Sequence, residues 1–121
     1  MSIERVLFPT DFSQAANSAL PHALEIAKKN SSELVILHVA TPHEYDPSNP
    51  EYQYLNTGNY EEYLQESMNR LSTSLEPRLD TSTTITRDGS PALGILRFLE
   101  ENKADMIVMG THGRSAIPHF F

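Results

Sequence analysis

Three short runs of apolar residues set the tightest limit on how this chain can fold. Arg5-Val6-Leu7-Phe8 is closed by Pro9-Thr10-Asp11, Leu34-Val35-Ile36-Leu37-His38-Val39 follows, and Met106-Ile107-Val108-Met109 comes near the end. None of them alternates apolar with polar residues, so each reads as a strand covered on both faces, the habit of parallel sheets. A parallel strand cannot return through a tight turn and needs a crossover of a dozen or more residues. The segments between the runs have that length and carry helical spacing.

Ser13 is placed to cap a helix whose apolar positions, Ala16, Ala19, Leu20, Ala23, Leu24 and Ala27, fall mostly three or four residues apart. Pro21 lies inside that stripe and predicts a kink or a lost hydrogen bond. Lys28-Lys29-Asn30 ends the helix with two cations at the negative end of its dipole. From Thr41 to Asn59 the periodicity lapses into three prolines and the tyrosines 45, 52 and 54, a stretch whose length points to a functional or interacting loop. Tyr60, Leu64, Met68, Leu71 and Leu75 mark the next helix, bounded by Pro77. Thr83-Thr84-Ile85-Thr86 is β-branched and thinly apolar, which predicts a strand near the sheet edge. Ser90-Pro91 offers an N-cap and a first-turn proline to a last helix with a buried stripe of Ala92, Ile95, Leu96 and Leu99. The order β-α-β-α-β-α-β predicts one α/β domain over residues 1–121, an open parallel sheet with right-handed crossovers and helices on both faces.

Composition narrows the function classes. A formal charge of −7, spread over both halves, disfavours binding to a nucleic-acid duplex, which selects for a basic face. The absence of cysteine removes disulfides, thiolate catalysis and zinc–sulfur sites together. No apolar run approaches a membrane span and the first residues do not read as a secretory signal, so the expected setting is cytoplasmic, with no membrane partner. The five histidines, 22, 38, 43, 112 and 119, show no metal-ligand spacing, and no protein metal site is expected. No serine stands in a G-x-S-x-G elbow, and neither a P-loop nor a G-x-G-x-x-G dinucleotide fingerprint occurs.

In open α/β sheets ligands bind beyond the carboxyl ends of the strands. Three segments of this chain fall there: Pro9-Thr10-Asp11, Val39-Ala40, and Gly110-Thr111-His112-Gly113-Arg114-Ser115. Two glycines three apart allow a sharp turn and successive N–H groups that cradle phosphate oxygens, with Arg114 and His112 as added donors. The same two glycines also suit a plain turn that leads the chain off the sheet. Asp11 is placed to accept hydrogen bonds from ribose hydroxyls or an adenine amino group, or to fix the strand–helix turn in place of Ser13.

The residues Val6-Leu7-Phe8-Pro9-Thr10-Asp11-Phe12-Ser13, Leu37-His38-Val39, Gly89-Ser90-Pro91 and Ile107-Val108-Met109-Gly110-Thr111-His112-Gly113-Arg114-Ser115 resemble, in order and spacing, the universal stress protein family. The resemblance implies a five-stranded adenine nucleotide α-hydrolase-like, Rossmann-like fold, usually a homodimer, in which many members bind ATP or AMP. It implies that Asp11 contacts the adenosine end, that Pro9 and Val39 border the adenine, and that Met109, Gly110, Thr111, His112, Gly113, Arg114 and Ser115 wrap the ribose and phosphates, with Thr10 in the same cluster. No catalytic residue is implied; hydrolysis is at most slow, and Mg2+ would come only with nucleotide phosphates. The ATP-binding motif of the family continues, nine residues after its second glycine, with a third glycine followed by Ser or Thr. From Gly113 that position falls beyond Phe121, and the last helix and fifth strand fall there too, so the sequence is expected to be part of a longer chain. A non-nucleotide interaction module of the same fold, using Thr41–Asn59 and the helix surfaces, is the alternative. An adenylating ligase of the wider fold class ranks third, its S-G-G-x-D-S loop being absent.

Overall fold

The computed structural model describes residues 2–41 and 60–110. Its elements run β1 (Arg5–Pro9), α1 (Gln14–Asn17), α2 (Leu20–Asn30), β2 (Glu33–Ala40), α3 (Tyr60–Thr73), β3 (Thr81–Arg87), α4 (Pro91–Glu101) and β4 (Met106–Ile107). The four strands form one parallel sheet in the order β3-β2-β1-β4, with Leu7 opposite Val35 on one side and Ile107 on the other. This is the α/β architecture that the apolar runs require.

The two-residue strand period sorts the core into two layers. Val6, Phe8, Leu34 and Ile36 pack on one face against Leu20, Ala23 and Ala27 of α2 and Met68 of α3. Leu7, Val35, Leu37 and Val39 pack on the other face against Ile95, Phe98 and Leu99 of α4. Val6, Leu7 and Phe8 have no exposed surface, and burial of such side chains stabilises the fold by about 1.5–3 kcal/mol each. The thinly apolar β3 lies at one edge, as its composition predicts.

Three expectations need correction. The helix predicted to kink at Pro21 is two helices. Pro21 lacks the N–H that would bond the Asn17 carbonyl, and in a continuous helix its ring would clash with that carbonyl, so α1 ends at Asn17. The chain restarts at Leu20 with Pro21 in the first turn of α2, where a missing N–H costs nothing. Leu96 is not in the buried stripe of α4: it is 48% exposed, like its neighbour Leu93 at 47%. The helix is rotated so that Gly94 and Ile95 face the sheet, with Phe98 and Leu99 completing the inward stripe. The run Met106–Met109 is not covered on both faces, since β4 lies at the sheet edge among the described residues and Ile107 is 38% exposed. Its pairing still continues past the strand, because the Val108 N–H donates to the Leu7 carbonyl at 2.9 Å.

Candidate functional site

From β1 to β3 the sheet grows in one direction; β4 then returns to the far side of β1. The strand order therefore reverses between β1 and β4, and at such a switch point the loops leave the sheet to opposite faces and open a crevice. A cleft of about 400 Å³, counting its open mouth, occupies this place. Pro9, Thr10, Asp11 and Ala16 form its near side, Leu37 and Val39 its floor, Pro91 and Ile95 the flank from α4, and Met109 and Gly110 the far side. Its lining is mostly apolar, with Asp11 the one ionisable group among the described residues that line it.

The turn from β1 into α1 is fixed by its own side chains. The Thr10 hydroxyl accepts the Phe12 N–H at 3.0 Å and donates to Asn17 Oδ1 at 2.6 Å. Asp11 Oδ1 accepts the Ser13 N–H at 2.9 Å, and Ser13 Oγ accepts the Ala16 N–H at 3.1 Å, capping α1. Asp11 therefore ties the turn, with Ser13 as the cap, and the same residue lines the cleft. Phe12 sits at φ 68°, a left-handed conformation that costs a side-chain-bearing residue about 1–2 kcal/mol. Its ring stacks on His38, with centroids 4.6 Å apart. His38 is buried, and its Nδ1 lies 2.8 Å from the Thr10 carbonyl; that oxygen can only accept, so Nδ1 carries the proton.

Two glycines set the width of the cleft. A Cβ on Gly94 would come within 2.4 Å of Val39 Cγ1, so the missing side chain lets α4 lie against β2 and hold Val39 in place. A Cβ on Gly110 would meet the Ala15 carbonyl oxygen at 2.8 Å and Ala16 Cα at 2.9 Å. Gly110 is therefore required by the close passage of the chain after β4 across α1.

Of the site residues predicted from sequence, Pro9, Thr10, Asp11, Val39, Met109 and Gly110 line this single cleft. Thr111, His112, Gly113, Arg114 and Ser115 lie outside the described residues, as does the loop from 42 to 59. Sequence reasoning missed Ala16, Leu37, Pro91, Ile95 and the supporting Gly94. Leu37 shares a face with Val39 by the two-residue period, and an isolated glycine inside a helical pattern is itself a sign of close packing. Among the described residues no group of three or more His, Cys, Asp or Glu side chains gathers to hold a metal ion, and no helix is long and apolar enough to cross a membrane.

Comparison with known proteins places this geometry in a family. The sequence model of the universal stress protein family matches residues 2–121. The chain belongs to that family. Universal stress protein MJ0531 of Methanocaldococcus jannaschii is 30% identical over 116 residues, which cover 94% of this chain and 68% of that protein. Universal stress protein MJ0577 of the same organism is 25% identical over 127 residues, or 93% and 78% of the two chains. The solved structure of MJ0577 superposes with a TM-score of 0.72 at 26% identity, covering 98% of this chain and 82% of that one. A universal stress protein crystallised in complex with cAMP shares the fold, with a TM-score of 0.63 at 22% identity over 99% and 82% of the chains. The sheet described here is thus the Rossmann-like sheet of the universal stress proteins, and the cleft lies at its carboxyl edge.

Proposed function

We propose that this universal stress protein binds an adenine nucleotide, ATP or AMP, in the cleft at the switch point and acts as a nucleotide-responsive stress protein with at most slow hydrolysis. The observation that carries the reading is the convergence of β1, β2, α4 and the chain after β4 on one apolar crevice with a carboxylate in its wall. Flat apolar rings suit the side chains of Pro9, Val39, Ile95 and Met109, and a carboxylate such as Asp11 accepts from ribose hydroxyls. The phosphates would extend toward Thr111–Ser115, where backbone N–H groups, His112 and Arg114 supply donors, and Mg2+ would arrive with them. That a protein of this fold was crystallised with cAMP supports the assignment of the ligand class. Asp11, tied to the Ser13 N–H, acts as a binding group and not as a base. The same reading takes the protein to be a cytoplasmic homodimer.

Calorimetric titration with ATP and AMP tests the proposal. Affinity in the micromolar range is expected, weakened about tenfold or more by Asp11→Ala and by Gly113→Val. Gly110 is a poor probe, because any side chain there meets the backbone of α1. Unchanged affinity in both variants overturns the site. An absence of ATP binding favours the second reading, a protein-interaction module, for which the adjoining exposed Leu93 and Leu96 on α4 supply a surface.

A further inference from the structure

One buried titratable side chain has no part in the nucleotide reading. His38 is 2% exposed, near the carboxyl end of β2, and strand alternation turns it to the face of the sheet opposite Leu37 and Val39. From there it holds the β1–α1 turn at two points. Its Nδ1–H donates to the Thr10 carbonyl at 2.8 Å, and its ring carries the Phe12 ring, with centroids 4.6 Å apart and planes 25° from parallel. Asp11 stands between those two residues. The first contact pins the peptide plane that precedes Asp11. The plane that follows is pinned by the Phe12 N–H on the Thr10 hydroxyl at 3.0 Å, and by the stack that holds Phe12 at φ 68°. With both planes fixed, the direction in which the Asp11 side chain leaves its Cα is fixed too. Glycine would take that φ at no steric cost; what a phenyl ring adds at position 12 is the stack on His38. Neither His38 nor Phe12 lines the cleft that Asp11 lines, and Phe12 faces a second, open groove beside α3.

We propose that His38 is a positioning residue for the first cleft: by holding Thr10 and Phe12 on either side of Asp11, it aims the Asp11 carboxylate at a ligand it never touches. The ligand is the adenine nucleotide of the reading above, on which this part of the proposal rests; the aiming of Asp11 rests on the turn alone. An imidazole is costly to bury unless its polar atoms are paired, and an aliphatic side chain would fill a covered strand position more cheaply. What the imidazole does here, and an aliphatic group cannot, is donate from its edge and stack through its face. Of the two holds the hydrogen bond is the directional one, and it acts on the peptide group joined directly to Asp11. A carboxylate ordered before the ligand arrives loses little freedom on binding, so the affinity gained through Asp11 depends on the residue that orders it.

The test is calorimetric titration of the whole chain with ATP in three variants. His38→Asn keeps an amide N–H close to where Nδ1 stands and should hold the affinity within about threefold. His38→Phe keeps a ring beneath Phe12 but has no donor, and should weaken binding about tenfold. His38→Gln, whose amide reaches past the Nδ1 position, should behave like His38→Phe and replaces it if that variant does not fold. In the Asp11→Ala background the loss of the donor should cost no further affinity, because the group it aims is gone. A residue that only fills the core would give the same loss with and without Asp11, and Phe would replace it better than Asn; either result would overturn the proposal. If the unaltered chain binds no ATP, the nucleotide reading fails by itself. The aiming of Asp11 is then decided without ligand by the one-bond Cα–Hα coupling of Phe12, which differs between positive and negative φ. It should keep its left-handed value in His38→Asn and move in the two variants without the donor, and an unmoved coupling in all three would remove the role of His38.

Discussion

At the scale of single residues, glycine and threonine carry the sharpest consequences. Gly94 and Gly110 both mark close approaches, but the neighbours differ. Gly94 faces the branched side chain of Val39, which can turn or shift, so Gly94→Ala should cost about 1–3 kcal/mol in urea unfolding and should narrow the first cleft. Gly110 faces backbone atoms that cannot rotate away, and Gly110→Ala should destabilise more than Gly94→Ala in the same measurement. Thr86 is the opposite case. Its hydroxyl is buried on β3 with no partner among the described residues, in register with Val39, so the isosteric Thr86→Val should leave stability unchanged or raise it by up to about 1 kcal/mol. Neither the two glycine contacts nor the unsatisfied Thr86 hydroxyl was legible in the sequence, because each depends on surroundings that only the fold assembles. What could be read was chemistry in a local frame: Asp11 after a strand, Ser13 and Ser90 before helices, and Gly110 at a strand end.

At the scale of elements, the two central strands were legible because burial on both faces leaves them almost wholly apolar, with His38 the one polar residue within Val6–Phe8 and Leu34–Val39. Val6 to Phe8 and Leu34 to Val39 need no periodicity to be recognised. The helices were legible in position but not in rotation. The stripe of α4 was read from hydropathy as including Leu96, whereas the absent side chain of Gly94 decides which face meets the sheet. Pro21 announced a disturbance, and only the packing of Leu20, Ala23 and Ala27 against the sheet determined that it became a break. Capping was read correctly: the Ser90 hydroxyl accepts the Leu93 N–H at 3.2 Å, and Ser90→Ala should cost about 1 kcal/mol by thermal or chemical unfolding, with Ser90→Asp retaining most of it.

At the scale of the whole molecule, the chain is fastened by a contact between residues a hundred positions apart. Asp105, just before β4, accepts the N–H groups of Glu4 at 2.9 Å and Arg5 at 3.1 Å. Those two bonds, Glu4 first, hold its carboxyl below the ordinary 3.8, helped by the charges of Lys103 and Arg5 and opposed by desolvation. A group whose folded pKa lies below its unfolded one adds stability that is fully present above the unfolded value and is lost as pH falls through the folded value. Unfolding midpoints should therefore drop below about pH 4, and Asp105→Asn should lower the midpoint at pH 7 while flattening that acid limb. The same long-range closure explains why the first cleft was only half visible in the sequence: its two sides, residues 9–11 and 109–110, are neighbours solely because β4 docks on β1. A growing polypeptide consequently has no such crevice until residues 106–110 have been made and β4 has docked on β1. Whatever lodges there recognises only a chain with β4 in place, and by mass action props up that closure along with the sheet it completes around the crevice.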